Sequence, residues 1–168
     1  IATIQDVTIM AMASLAETRD TDTGNHILRT QQYVRLLATA LREHPRFSAH
    51  LDAQSIDLIY RSAPLHDIGK VGIPDRILLK PGQLSADEFA IMKRHAQLGY
   101  DAIDSAEVKL KADVDFLRIA KEIALSHHER WDGKGYPAGL RGEQIPVSAR
   151  LMALADVYDA LVSRRVYK

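Results

Sequence analysis

The sequence predicts an all-α fold, a single globular bundle of helices that carries one long ordered loop. Apolar residues recur every three or four positions along most of the chain, as in HILRTQQYVRLLATALREH, which is the spacing of one helix face. Alternating runs of the kind that form half-buried strands are missing from the sequence. A chain of 168 residues without Cys is long enough to bury one core with no disulfides. One all-α domain is therefore the simplest account.

Local chemistry marks where the helices start and stop. Ser85 and Glu88 have the spacing of a capping box, at the start of one helix that we expect to continue through FAIMKRHAQLGYDAI. Pro146 is expected in the first turn of a later helix, VSARLMALADVYDALVSR, and Gly99 near a helix end. Residues 131–146, WDGKGYPAGLRGEQIP, hold too many glycines and prolines for a helix or strand interior. A loop this long in a compact domain predicts a functional role.

Charge and hydropathy narrow the classes of partner. The chain has 22 Lys and Arg against 22 Asp and Glu, a balance that argues against a surface built to coat DNA. No apolar run reaches the roughly 18–20 residues of a membrane span, and the first residues have no signal-peptide pattern. We therefore expect a cytoplasmic protein with no membrane contact in this chain.

Histidine is the functional residue in which the chain is rich. Two of the seven histidines, His44 and His50, flank Pro45 in a polar connection and are interpreted as solvated loop residues. The other five lie beside acids, glycines or each other, namely His26, His66, His95, His127 and His128. Their joint pattern indicates a site, although each one taken singly is weak evidence.

The surroundings of these histidines predict metal binding. His66 and Asp67 stand between an apolar segment and the Gly-containing IGKVGIP, and the pair His127 and His128 ends another apolar segment. Asp156 falls inside the apolar helix RLMALADVYDALV. Buried imidazoles and carboxylates are costly unless something compensates them, and a metal ion compensates several at once.

The candidate ligands are too many for one four-coordinate ion. Five His and two Asp fit two ions that share one carboxylate better, and this ligand set suits Mn, Fe, Co, Ni or Zn. Two divalent ions with two aspartates leave a net positive site that attracts phosphate oxygens. An oxygen-activating di-iron site is the alternative, but neither ligand segment has the Glu-x-x-His spacing of such sites. Phosphoryl hydrolysis is therefore favoured.

At this point the motifs resemble a known family. HDIGK and GYP are similar to the two signatures of HD-GYP domains, which belong to the HD-domain metal-dependent phosphohydrolases, and the likeness runs from ETRDTDTGNHILRT to ADVYDALVSRRVYK. The resemblance implies a helical HD domain over residues 1–168. It implies a phosphodiesterase that hydrolyses the bacterial second messenger cyclic di-GMP to linear pGpG through a hydroxide that bridges the metals, and it leaves open whether hydrolysis continues to GMP. It further implies more helices after the C-terminal residue and a receiver or sensor domain ahead of the chain.

The resemblance also assigns roles to single residues, with iron or manganese as the expected metals. It assigns the first ion to His26, His66, Asp67 and Asp156, and the second to Asp67, His95, His127 and His128. Asp67 would bridge the two ions, and Lys70 would face the substrate phosphate as a catalytic group. Asp22 stands where some members carry a Glu that goes with a third metal, so it is expected either to bind that ion or to support other ligands.

Substrate and partner contacts are implied in the same way. Arg165 and Lys168 would hold phosphate or guanine edges, and Tyr136 of the loop would contact substrate or pack the loop on the body. The loop is also expected to contact GGDEF-domain proteins. Glu17 and Asp20 are interpreted as solvated acids at a helix end.

Two alternatives stay open: another cyclic dinucleotide such as cyclic GMP-AMP as substrate, and a catalytically silent domain that binds nucleotide or a signalling partner.

Overall fold

A computed structural model of the chain describes residues 3–18, 25–111 and 114–163, and these residues form helices without any β-strand. The expected all-α fold is thus confirmed. The helices are α1 Ile4–Glu17, α2 His26–Leu41, α3 Ala53–Ser62, α4 Asp75–Leu78, α5 Ala86–Met92, α6 Arg94–Leu110, α7 Asp115–Ser126 and α8 Val147–Val162. Three short 3₁₀ turns add to them, at Ala63–Leu65, Ile68–Gly72 and Gly142–Gln144. None of the described helices is long and apolar enough to cross a membrane.

Helix α7 lies at the centre because both apolar clusters of the core include it. One cluster joins α7 to α2, α3 and α8 through residues such as Val34, Ile123 and Met152, all fully buried. The other joins α7 to α1, α6 and the first 3₁₀ turn through Phe116 and Leu65. Burial of these side chains supplies the main stabilisation of the bundle. The C-terminal end of α7 is thereby held inside the bundle, and it is there that the candidate ligands gather.

Two local predictions about helix starts have mixed outcomes. The capping box is present: the Glu88 amide donates to Ser85 Oγ at 3.2 Å, and the Ser85 amide donates to Glu88 Oε2 at 2.8 Å. Pro146 stands just before α8 instead of inside its first turn, because its ψ of 143° is extended. Residues 131–146 form an irregular loop with one 3₁₀ turn, in agreement with their glycine and proline content.

The segment after Ser85 differs from expectation. It forms two helices, α5 and α6, interrupted at Lys93, because the three-to-four spacing of apolar residues continues across the break and does not reveal it. Gly99 lies in the interior of α6, so its assignment to a helix end is wrong. A Cβ atom on Gly69 would lie 2.0 Å from the His95 carbonyl oxygen and 2.4 Å from the Gly99 nitrogen. The two glycines allow α6 to approach the 3₁₀ turn that follows Asp67.

Candidate metal centre

The fold brings together all seven of the candidate ligands that lie in the described residues. Within each of two groups, one ligand atom per residue lies within 4.8 Å of the others. The first group is His26, His66 and Asp156, and the second is Asp67, His95, His127 and His128. Asp67 also approaches the first group, since its Oδ2 lies 3.3 Å from His66 Nε2. The arrangement is therefore two adjoining sites with Asp67 at their junction.

Most of the ligands come from points where helices begin, break or end, whereas Asp156 lies within α8. His26 is the first residue of α2, and His95 is the second residue of α6. His66 and Asp67 occupy the break between two 3₁₀ turns, and His127 directly follows α7. Such positions let side chains project from the ends of packed elements into one space, while the helices themselves stay close-packed. Elements far apart in sequence thus supply one centre.

Backbone carbonyls fix the orientation of three imidazole rings. The Nδ1 atoms of His66, His95 and His127 lie 2.8–3.0 Å from carbonyl oxygens three or four residues earlier. A carbonyl oxygen only accepts hydrogen bonds, so each Nδ1 carries the proton of the neutral ring. The Nε2 atom of each ring faces the centre, and in the neutral ring it holds the lone pair that binds a metal ion. This is the arrangement that metal-binding histidines use.

The atoms that face the centre have the burial and the free lone pairs that are typical of metal ligands. The Nε2 atoms of His66, His95 and His127 and Oδ1 of Asp67 are buried, and none has a hydrogen-bond partner among the described residues. His95 Nε2 lies 3.3 Å from Asp67 Oδ1, and His127 Nε2 lies 3.6 Å from it. Two ligands bound at about 2.1 Å to one tetrahedral ion lie about 3.4 Å apart. The residues present therefore fit transition-metal ions.

Burial and neighbouring charges shift the pKa values of several candidate ligands in the protein without metal. Burial lowers the pKa of His66, but the nearby negative charge of Asp67 outweighs burial and raises that pKa to about 9. Burial, together with the charge of His127, lowers the pKa of His128 to about 2, and burial also lowers that of His95. Burial raises the pKa of Asp67, but Lys70 and His66 outweigh it and hold the pKa well below its usual range. The Asp67 carboxylate is ionised, and the rings of His95 and His128 are neutral, as metal ligands must be.

Asp159 is a functional residue that the sequence analysis missed. This carboxylate is 2% exposed, and its Oδ2 accepts from His26 Nδ1 at 2.8 Å. Arg29 donates to it through Nε at 2.6 Å and Nη2 at 2.9 Å. His26 Nε2 is thereby directed toward Asp156, whose Oδ1 lies 3.5 Å away. The signal available in the sequence was a second Asp three residues after Asp156, on nearly the same helix face.

Lys70 and Glu17 lie beside Asp67. Lys70 Nζ is 2.8 Å from Asp67 Oδ2, so the cation expected to act in catalysis is adjacent to the junction of the two sites. Glu17 ends α1, as expected, but it is half-buried and lines a small cavity together with His66, Asp67 and Lys70. The interpretation of Glu17 as a solvated acid is therefore wrong, because α1 packs against the 3₁₀ turns and carries its last residue toward the centre.

The Gly-Tyr-Pro segment packs directly on the second group of ligands. The Tyr136 ring stacks on His128 with a centroid distance of 4.7 Å and an interplanar angle of 26°, and the Tyr136 amide donates to the His128 carbonyl at 3.3 Å. A Cβ atom on Gly135 would lie 2.3 Å from the Arg130 nitrogen, so only glycine fits there. Tyr136 therefore holds the His128 ring in place and forms one wall of the centre.

Glu129 organises the loop and was also missed. This side chain is buried, and its two carboxylate oxygens accept from the amides of Ala138, Gly139 and Leu140 at 2.7, 3.1 and 3.0 Å. Three amide donors on one carboxylate replace the regular hydrogen bonds that the loop backbone lacks. Its position directly after His128 was the only hint in the sequence.

The remaining residues named from the sequence either fall outside the described residues or lie in a connecting loop. Asp22, Arg165 and Lys168 are outside the described residues, as is Asp20. His44 and His50 are exposed in the connection between α2 and α3, which confirms their interpretation as solvated loop residues. The five other histidines are all in the two ligand groups.

Comparison with known proteins gives a family and several relatives. A family model described as HD domain matches residues 24–168. The chain is 59% identical over 168 residues to a cyclic di-GMP phosphodiesterase of Vibrio cholerae, an alignment that covers 100% of this chain and 34% of the relative. It is 42% identical over 161 residues to a cyclic di-GMP phosphodiesterase response regulator of Xanthomonas campestris, covering 96% of the chain and 39% of the relative.

A relative with a different named substrate also matches. The 3'3'-cGAMP-specific phosphodiesterase 2 of Vibrio cholerae is 44% identical over 157 residues, covering 94% of the chain and 27% of that protein. The chain thus spans about a third of the length of the curated relatives it matches.

Proposed function

This chain belongs to the HD domain family, whose phosphohydrolases are metal-dependent, and we propose that it is a phosphodiesterase that hydrolyses cyclic di-GMP. The observation that carries the proposal is the convergence of buried imidazole Nε2 atoms, without hydrogen-bond partners in the described residues, around the ionised Asp67. Relatives named as cyclic di-GMP phosphodiesterases, at 59% and 42% identity, support the choice of substrate. The product expected first is linear pGpG.

Two divalent ions, iron or manganese, would be held by the two ligand groups, with Asp67 shared between them. When bound, such ions supply a water of lowered pKa and positive charge opposite the phosphodiester oxygens. The protein supplies fixed ligands: Nδ1 hydrogen bonds hold the rings of His66 and His127, and Asp159 holds that of His26. Rigid ligands keep a centre open for substrate without rearrangement.

Lys70 would neutralise charge on the phosphate or on the leaving 3′ oxygen. Its ammonium lies 2.8 Å from Asp67 Oδ2, within reach of any group bound at the shared carboxylate. Arg165 and Lys168 are proposed to grip phosphate or guanine edges, and Tyr136 to face the ligand while it packs on His128. Asp22 is proposed either to bind a third ion or to support the other ligands.

The proposal extends to a linked regulatory domain, a protein partner and the location in the cell. A receiver or sensor domain linked to this chain is supported by a relative named as a response regulator, and by relatives about three times as long as the chain. Contact between the loop at residues 131–146 and GGDEF-domain proteins stays a prediction. A cytoplasmic location follows from the proposed substrate, which is a messenger inside bacterial cells.

The test is turnover by purified protein loaded with Mn²⁺ or Fe²⁺, with the products identified. We expect cyclic di-GMP to give pGpG, and we expect Asp67→Asn to lose the activity because it removes the shared ligand charge. Asp57→Asn is the matched control, because Asp57 has an exposed side chain on α3 outside both ligand groups. Full activity in Asp67→Asn would contradict the mechanism.

Cyclic GMP-AMP is the second candidate substrate, supported by the 44% identical cGAMP-specific relative. Assaying both dinucleotides side by side under the same metal separates the two: a higher kcat/KM for cyclic GMP-AMP would favour the second. Tight binding of either dinucleotide without product under any metal would favour a silent binding domain instead.

A further inference from the structure

Phe89 and Tyr136 form an aromatic rim beside the candidate metal centre, and Phe89 has no role in the function proposed above. Helix α5 buries none of its side chains in the core, and Phe89 on it is 46% exposed. The Phe89 ring nevertheless lies 6.2 Å from the Tyr136 ring between centroids, at an angle of 85°. Tyr136 stacks on His128, so Phe89 stands one ring away from the ligands. An exposed aromatic surface therefore borders the centre.

Lys93 adds a positive charge to this rim. Its Nζ lies 5.4 Å from the Phe89 ring centroid and 5.9 Å from that of Tyr136. Lys93 is the N-terminal flanking residue of α6, two positions before His95, so its backbone is tied to the centre. Within the described parts of the chain, no carboxylate forms an ion pair with Lys93. Among the described residues, its ammonium group lies over two ring faces, and the attraction between them is weak.

The chemistry of the rim matches one kind of base. Aromatic rings stack on any nucleobase. An ammonium group donates hydrogen bonds and accepts none. Guanine presents two acceptors, O6 and N7, on one edge, whereas adenine presents the donor N6 beside N7 on the same edge. A lysine next to a stacking ring therefore favours guanine over adenine.

We propose that Phe89, Lys93 and Tyr136 form a guanine subsite for one base of the dinucleotide, with Lys93 as the residue that selects guanine. This inference rests on the proposed function for the class of ligand, a cyclic dinucleotide. The Tyr136 ring lies 6.3 Å from the His95 ring, so a base in the subsite stays within one nucleotide of the metal ligands. The subsite holds the base while the phosphodiester reaches the centre.

The experiment measures inhibition constants against a substrate without bases. Hydrolysis of bis(p-nitrophenyl) phosphate by the Mn²⁺-loaded protein is inhibited with cyclic di-GMP or with cyclic di-AMP, and the ratio of the two constants is compared between variants. In Lys93→Met we expect the preference for cyclic di-GMP to fall about tenfold. In Phe89→Ala we expect both dinucleotides to bind about tenfold more weakly, with the ratio unchanged. Lys109→Met, on an exposed part of α6, is the matched control and should leave the ratio unchanged.

The ratio separates this proposal from a general loss of charge or of fold. A Lys93→Met variant that keeps the wild-type ratio, whether it binds both dinucleotides normally or both more weakly, would overturn the role of Lys93. A Phe89→Ala variant with normal constants for both would overturn the stacking role. Cyclic di-GMP that inhibits with the expected preference but yields no product would contradict the proposed function and leave the subsite standing.

Discussion

Replacing Asp159 by Asn removes the charge that orients His26, while keeping the size of the side chain. In the folded protein the Asp159 carboxylate accepts from His26 Nδ1 at 2.8 Å and from Arg29 Nε at 2.6 Å. An Asn side chain presents only one oxygen acceptor, and its amide nitrogen has to face a donor. We therefore expect two effects, lower stability of the metal-free protein and weaker binding of the ion next to His26.

The pKa of Asp159 gives the size of the expected loss of stability. Burial raises this pKa, but the hydrogen bonds from Arg29 and His26 lower it from 3.8 to about 2. Because the pKa is lower in the folded state, the ionised carboxylate stabilises the fold by about 2 kcal/mol above the unfolded pKa. That contribution is lost as pH falls from about 4 toward 2. For the second effect, loss of a partner behind a ligating histidine typically costs 10–100-fold in metal affinity.

Two measurements on the variant check these figures. Urea unfolding of metal-free protein at pH 7 should show Asp159→Asn less stable than wild type, with a smaller difference at pH 3. A titration of activity against Mn²⁺ should need at least about tenfold more metal in the variant. Asp57→Asn, on the exposed side chain of α3, is the control for both measurements. Wild-type metal affinity in Asp159→Asn would refute the reasoning, because His26 would then need no orientation.

Three further predictions follow from the centre and its supports. Metal binding at pH 7 should release at least one proton, because the charge of Asp67 outweighs burial and raises the pKa of His66 to about 9. Calorimetry in buffers of different ionisation enthalpy measures this release, and a release of zero would contradict the prediction. Gly69→Ala should lower the urea midpoint far more than Gly72→Ala, whose Cβ would meet only the flexible end of a leucine at 2.9 Å; equal midpoints would argue against close backbone contact. Glu129→Gln should lower the free energy of unfolding by about 1–3 kcal/mol and speed protease cleavage within residues 131–146. Unchanged cleavage would mean that the carboxylate does not hold the loop.

Features encoded by neighbouring residues could be predicted from the sequence. The capping box at Ser85 and Glu88 depends on one turn of backbone, and the irregular loop at residues 131–146 depends on its own glycines and prolines. The clustering of His66 with Asp67, and of His127 with His128, could likewise be predicted, because each pair is adjacent in the chain and ends an apolar segment. Residue type and short-range spacing were sufficient for all of these.

Features that are not encoded by neighbouring residues could not be predicted from the sequence. The break at Lys93 is invisible to apolar periodicity, and Gly99 has the composition of a helix end although it serves a close contact with Gly69. Glu17 was expected in solvent because nothing in its own segment reveals the 3₁₀ turns packed beside it. For Gly99 and Glu17, a neighbour remote in sequence decides the environment.

The sequence by itself determined the helical class, the set of metal-binding residue types and the loop, because hydrophobic spacing and backbone preferences act within a few residues. Only the tertiary structure decided which candidate ligands lie together, which carboxylate supports His26 and which rings border the centre. His26 and Asp159 are 133 residues apart, and they meet only because α2 packs against α8 around the common core. The burial that drives this packing depends on total apolar area and shape, which no short segment of sequence records.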